Sequence, residues 1–148
     1  MELNTAAAVI RFATEVEEKS AKFYDDCAKR YRENAETFLS FVRENKKNVT
    51  FVKRAYYGVI SDALEACFSF RDLKVDEFLF EANFDASAHL SDILKMSWEM
   101  EDKIQKFYQK AGELSEKLLA DVPRALKKIA DKRKERKNKL MFLLERTR

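Results

Sequence analysis

Apolar and small residues recur along this chain at spacings of three, four or their multiples, the period of helices that bury one face. Ile10, Ala13, Tyr24, Cys27 and Tyr31 form the first such stripe. Asn4 or Thr5 can cap the helix that carries it, and the pattern extends to about Glu33. Asn34 then marks a turn. A second helix follows from about Ala35 into the mid-sixties, with Phe38, Phe41, Val42, Val49 and Val52 on its inner face, so the two helices form an antiparallel hairpin. From roughly Phe68 to Leu90 the helical period weakens, and the stretch rich in Phe, Asp and Ala from Asp76 to Ala88 reads as a crossing connection. At about 3.3 Å per extended residue, such a stretch can travel the length of a bundle. The third helix begins near Ser91, turns Leu94, Ile104 and Tyr108 inward, and ends near Gly112. Ser115 to Leu119 add a turn or two, and Asp121 with Pro123 starts a fourth helix whose inner face holds Leu126, Ile129, Ala130, Leu140 and Leu143.

Composition supports one all-α domain over residues 1–148. Only 2 Gly and 1 Pro interrupt 148 residues, which disfavours sheets and tight turns. Charged residues make up 37% of the chain, yet apolar residues make up 46% and include 12 Phe, a composition that folds. The apolar run from Ala6 to Ile10 is followed by Arg11, Glu15, Glu17 and Glu18, too short and too charged for a signal peptide. No stretch approaches the roughly 18 apolar residues that span a bilayer, so the expected location is cytoplasmic, away from membranes.

Several chemistries are excluded by what is missing. Cys27 and Cys67 form no CxxC pair, so neither a zinc ribbon nor a rubredoxin-like iron centre is available, and both read as buried free thiols. His89 is the one histidine and stands at a bundle end, which leaves catalytic triads and Cys/His pairs without support. Gly58 and Gly112 cannot make a phosphate-cradling loop.

An internal repeat is the most informative feature. The ten residues from Glu15 to Tyr24 match those from Glu99 to Tyr108 at six positions, including the Phe-Tyr pairs Phe23-Tyr24 and Phe107-Tyr108. Helices one and three therefore read as copies. Within the copies, Glu17 lies two turns from both Ile10 and Tyr24, and Glu101 two turns from Leu94 and Tyr108, which puts both glutamates on the inward stripe. On helix two, Phe41, Asn45, Asn48 and Val52 share a face; on helix four, Ile129, Arg133, Arg136 and Leu140 repeat that spacing.

Through the Glu-x-x-x-x-x-Phe-Tyr pattern on helices one and three, and the plan of hairpin, crossover and hairpin, the chain resembles the rubrerythrin branch of the ferritin-like superfamily. The resemblance implies a ferritin-like four-helix bundle, two antiparallel hairpins joined by a long crossover between helices two and three. It further implies two iron or manganese ions, held by one Glu from each of two helices and a Glu-x-x-His pair from each of the others. The lone glutamates fall on Glu17 and Glu101; the pairs fall on Asn45 with Asn48 and on Arg133 with Arg136; Tyr24 and Tyr108 take the positions of tyrosines that support the ligands. A guanidinium has no lone pair to give and repels a cation. The expected interior is thus a metal-free network in which Arg133 and Arg136 pair with Glu17 and Glu101, while Asn45 and Asn48 saturate the remaining donors and acceptors.

The leading reading is a non-catalytic structural or interaction module with no cofactor. Its alternative is a metal-dependent, di-iron type oxidoreductase or peroxidase using Glu17 and Glu101 with iron or manganese. A second alternative is nucleic-acid binding through helix four, where Arg124 to Arg148 hold 11 Lys or Arg against Asp131, Glu135 and Glu145. No aromatic residue interrupts the central run from Lys132 to Lys139, which counts against it. Tyr56, Tyr57, Phe68, Phe70, Phe78 and Phe80 are expected to cover a bundle end or to form a homodimer interface.

Overall fold

A computed structural model of the chain describes residues 5–59, 73–85, 87–116 and 121–147. Thr5 opens the first helix: its Oγ1 accepts the Ala8 amide at 3.0 Å, satisfying a donor that the helix cannot pair internally, an interaction worth about 1 kcal/mol. Helix α1 covers Ala6–Arg30. It stops short of Glu33 because the Tyr31 amide closes its last turn on the Cys27 carbonyl at 2.9 Å and Arg32–Asn34 tighten into a 3-10 turn. Helices α2 (Ala35–Val59), α3 (Leu90–Ser115) and α4 (Asp121–Arg146) complete four long helices among the described residues. The predicted continuation of α2 into the mid-sixties, and Cys67, lie outside those residues.

Gly112 does not end α3, which continues to Ser115. The glycine serves packing instead. A Cβ there would stand 2.8 Å from Lys127 Cγ and 3.5 Å from the Pro123 carbonyl oxygen, so α3 and α4 approach closely and a side chain at this point would require Lys127 to shift.

Cross-helix contacts fix the topology. Ser20 meets Asn45 and Tyr24 meets Phe41, so α1 and α2 are antiparallel. Tyr108 reaches Glu17 and Tyr24 reaches Glu101, which sets α1 antiparallel to α3. Asn45 lies against Arg133 and Phe41 against Arg136, while Gly112 lies against Lys127 and Asp102 against Lys137; α4 is therefore antiparallel to both α2 and α3. The helices occupy a square in the order α1, α2, α4, α3. Since α2 and α3 sit on a diagonal and point the same way, the chain between them must return along the length of the bundle.

The described part of that return lies in the outer groove between α1 and α3. Phe78 packs on Phe107 with ring centroids 5.6 Å apart, Phe84 packs on Phe23 at 5.8 Å, and the Tyr31 hydroxyl donates to the Ala88 carbonyl at 2.7 Å. Lys19 donates to the Phe80 carbonyl at 2.6 Å and Lys103 to the Leu79 carbonyl at 2.7 Å. Phe78 and Phe80 thus cover this groove rather than a bundle end. Phe68, Phe70 and the side chain of Tyr57 lie outside the described residues.

This arrangement accounts for the repeat. Lys19 and Lys103 are equivalent positions and hold adjacent carbonyls of the crossover; Phe23 and Phe107 are equivalent and seat its phenylalanines. The remaining shared inward positions, Glu17 with Tyr24 and Glu101 with Tyr108, point into the bundle.

The core is built from Val9, Phe12, Phe38, Phe41, Ile93, Leu94, Ile104, Leu126, Ile129 and Leu140 with their neighbours, all removed from water. Leu143 is only half-buried, and Leu144 takes the buried place in the last turn of α4. Cys27 is buried as expected, and burial, with Asp26 adding to it, pushes its thiol up to about 12. No helix among the described residues is long and apolar enough to cross a membrane.

Candidate functional site

Midway along the bundle, each helix turns polar groups toward the axis. Glu17, Ser20 and Tyr24 come from α1, Asn45 and Asn48 from α2, Glu101 and Tyr108 from α3, and Arg133 and Arg136 from α4, none more than 2% exposed. Helical spacing brings them there: Glu17, Ser20 and Tyr24 lie three and four residues apart, as do Asn45 and Asn48 or Arg133 and Arg136, so each set projects from one face.

Arg133 occupies the centre. Its Nη1 donates to both oxygens of Glu101, at 2.5 and 2.8 Å, and to Ser20 Oγ at 3.1 Å. Its Nη2 donates to Glu17 Oε2 at 2.5 Å and to Asn45 Oδ1 at 3.2 Å. A single guanidinium therefore joins two carboxylates from different helices, in the forked geometry that suits this group. Burial opposes the Arg133 charge, but Glu101 and then Glu17 outweigh it and hold the proton more firmly than on a free arginine.

Arg136 plays a different part. Its Nη1 reaches Glu101 Oε1 at 3.2 Å, its Nη2 the Phe41 carbonyl at 3.1 Å, and its Nε Glu44 Oε1 at 2.8 Å, while its plane lies 5.0 Å from the Phe41 ring centroid. The symmetric pairing of two arginines with two glutamates is thus not what the chain adopts. Arg133 bridges both glutamates, and Arg136 links Glu101 to the half-buried Glu44 at the α2–α4 edge.

The tyrosines cross over. Tyr24 donates to Glu101 Oε1 at 3.0 Å and Tyr108 to Glu17 Oε1 at 2.7 Å, so each copy of the repeat supports the other copy's glutamate. Burial first, and then the adjacent carboxylate, raises both phenols well above their usual range. Asn45 Nδ2 donates to Ser20 Oγ at 3.3 Å, and Asn48 Nδ2 to Glu17 Oε1 at 3.4 Å. Saturation is incomplete, since Asn48 Oδ1 and Arg133 Nε find no hydrogen-bond partner among the described residues.

Ser20 and Glu44 were not singled out by sequence reasoning. Ser20 could have been found, because it lies three residues after Glu17 on the same face. Glu44 carries no such signal, since its neighbour Asn45 holds the inward position and Glu44 enters only through the reach of Arg136.

His89 precedes the first residue of α3, is exposed, and its side chain makes no capping bond. The basic stretch of α4 is divided between inside and outside. Arg133 and Arg136 point inward, Lys137 binds Asp102 at 2.7 Å and lies over the Trp98 ring, and Lys127 pairs with Glu116. Burial would raise the Asp102 carboxyl, but hydrogen bonds from Lys106 and Lys137 prevail and leave it lower than usual.

The donor set does not fit the two ions that the resemblance implies. Hard cations need several anionic oxygens or imidazoles, and among the described residues only two carboxylates face the axis, both engaged by Arg133. Among the described residues no group of three or more His, Cys, Asp or Glu side chains converges. The Arg133 guanidinium balances the charge of both carboxylates. No family model matches the chain, and neither a curated protein nor a solved structure is found similar to it.

Proposed function

We propose that this chain is a ferritin-like four-helix module of the rubrerythrin kind in which a buried Glu–Arg–Asn network stands in place of the two metal ions, and that it works as a structural or interaction module rather than as an enzyme. The observation that carries this reading is the Arg133 guanidinium donating to both Glu17 and Glu101 inside the bundle. The bundle plan supports the family assignment: α2 and α3 are parallel on a diagonal, and the crossover between them is held by the repeat-related lysines. A network of this kind sets which helix faces meet, because desolvating its ions costs several kcal/mol each and leaves little net stabilisation.

Metal analysis of the purified protein tests the proposal. Less than a tenth of an equivalent of iron, manganese or zinc is expected after dialysis, and a stoichiometric ion that survives dialysis would reverse it. Installing Asn45→Glu, Asn48→His, Arg133→Glu and Arg136→His together should create an iron-binding bundle. A folded variant that takes up no iron would argue against the family geometry.

A further inference from the structure

Charge is unevenly divided between the two sides of the bundle, although the whole chain carries only +3. On the side of α1 and α3, the crossover from residue 73 to 85 has Lys74 against Asp76, Glu77, Glu81 and Asp85. On the opposite side, α2 from Asn45 to Val59 carries Lys46, Lys47, Lys53 and Arg54 and no acid at all. Across the groove, α4 presents Lys128 and Lys132 toward Phe51 of α2 and Lys139 beside Thr37, with Asp131 and Glu135 as the acids of that stretch.

The groove between α2 and α4 also holds an aromatic ring. Phe51 is half-buried there, with Lys128 Nζ 5.2 Å and Lys132 Nζ 5.9 Å from its centroid. Lys46, Lys47 and Arg54 line the same shallow cleft, beside Phe51 and Lys132. The run from Lys132 to Lys139 itself contains no aromatic residue; the fold supplies one from the neighbouring helix. A π-face set among cations from two helices is the arrangement that holds single-stranded nucleic acid, with ammonium groups on phosphates and a base against the ring. Residues four apart on a helix stand about 6 Å from each other, so Lys128 and Lys132 can meet separate phosphates of a flexible strand.

We infer that the α2–α4 face is a binding surface for single-stranded nucleic acid, with Phe51 as its stacking residue and Lys46, Lys47, Arg54, Lys128 and Lys132 as its phosphate contacts. This goes beyond the metal-free reading of the interior and does not rest on it, since none of these six side chains belongs to the buried network.

Fluorescence anisotropy with a labelled 20-nucleotide oligouridylate tests the inference on the full chain. Affinity should fall by about tenfold or more between 50 and 200 mM salt, as release of counterions requires. At 100 mM salt, Lys128→Glu with Lys132→Glu should weaken binding by at least about tenfold, whereas the charge-matched pair Lys22→Glu with Lys95→Glu, on α1 and α3, should change it by less than about twofold because the far side is screened. Phe51→Leu, which keeps an apolar filling and removes the ring, should cost at least about fivefold with the salt slope unchanged. The inference is overturned if the oligonucleotide does not bind at 50 mM salt, if both charge-reversed pairs lose affinity equally, or if Phe51→Leu binds as well as the parent. Co-sedimentation with phosphatidylserine vesicles in the absence of oligonucleotide binding would likewise overturn it, in favour of a lipid surface.

Discussion

Arg133→Ala is the most informative single perturbation. The parent side chain is wholly enclosed, as are the two carboxylates it joins, at 0% exposure for Arg133, 1% for Glu17 and 0% for Glu101. Truncation removes the hydrogen bonds to Glu17, Glu101, Ser20 and Asn45 and leaves two anions facing each other with only Arg136, on Glu101, as a cationic neighbour. Breaking a buried pair by deleting one partner costs about 3 to 5 kcal/mol, against at most about 1 for an exposed pair. A loss of about 4 kcal/mol is therefore expected, equivalent to a fall of roughly 8 to 16 °C in Tm for a domain of this size. Urea unfolding followed by circular dichroism at neutral pH measures it, with parent and variant sharing one m-value. A deficit below about 1 kcal/mol would place the guanidinium in water and defeat the reasoning.

The network should be dispensable as a whole even though its parts are not. Replacing Glu17, Glu101, Arg133 and Arg136 by Met together with Ser20→Ala, Tyr24→Phe, Tyr108→Phe, Asn45→Leu and Asn48→Leu, so that no buried polar side chain of the cluster loses its partner, should leave stability within about 2 kcal/mol of the parent or raise it, as expected when a buried ionic set gives way to apolar volume; a loss as large as that of Arg133→Ala, in the same urea assay, would contradict this. Tyr24 and Tyr108 have raised phenols, so the folded chain keeps two protons that the unfolded chain releases, and stability should drop as pH rises above about 10. Phenolate absorbance should accordingly show two of the five tyrosines ionising only with unfolding. Gly112→Ala should lower stability by about 1 kcal/mol, an overpacking loss of about 2 against a gain of roughly 1 in helix propensity. In a Lys127→Ala background, which removes the Cγ that the new Cβ meets, the sign should reverse; thermal melts of the four proteins decide it.

Helix positions and inward faces could be read from the chain because each helix is amphipathic over many turns, and a 3.6-residue period repeated that often leaves little doubt about which side is buried. The placement of Glu17, Glu101, Asn45, Asn48, Arg133 and Arg136 on inward faces follows from the same spacing. Helix ends were less legible. Gly112 has the chemistry of a terminator, yet it serves close packing, a distinction that depends on where Pro123 and Lys127 lie in space. The roles of Phe78 and Phe80 were equally hidden, since a segment without periodicity does not reveal which groove it fills.

The division of labour between the two arginines could not be read either, and one difference between the copies bears on it directly. Where α1 has Ser20, three residues after Glu17, α3 has Ile104 three residues after Glu101. A hydroxyl on the α1 side gives Arg133 Nη1 an acceptor and gives Asn45 Nδ2 one as well; the isoleucine offers neither. The central guanidinium can therefore pair both of its Nη groups while spanning both glutamates, whereas Arg136, one turn further on, reaches one oxygen of Glu101 and meets Glu44 and the Phe41 carbonyl at the bundle edge. A near-symmetric repeat thus holds an asymmetric charge cluster: buried hydrogen-bond donors favour acceptors in a dry interior, and the Ser20 hydroxyl, where the other copy has the alkyl side chain of Ile104, gives the central arginine one of them.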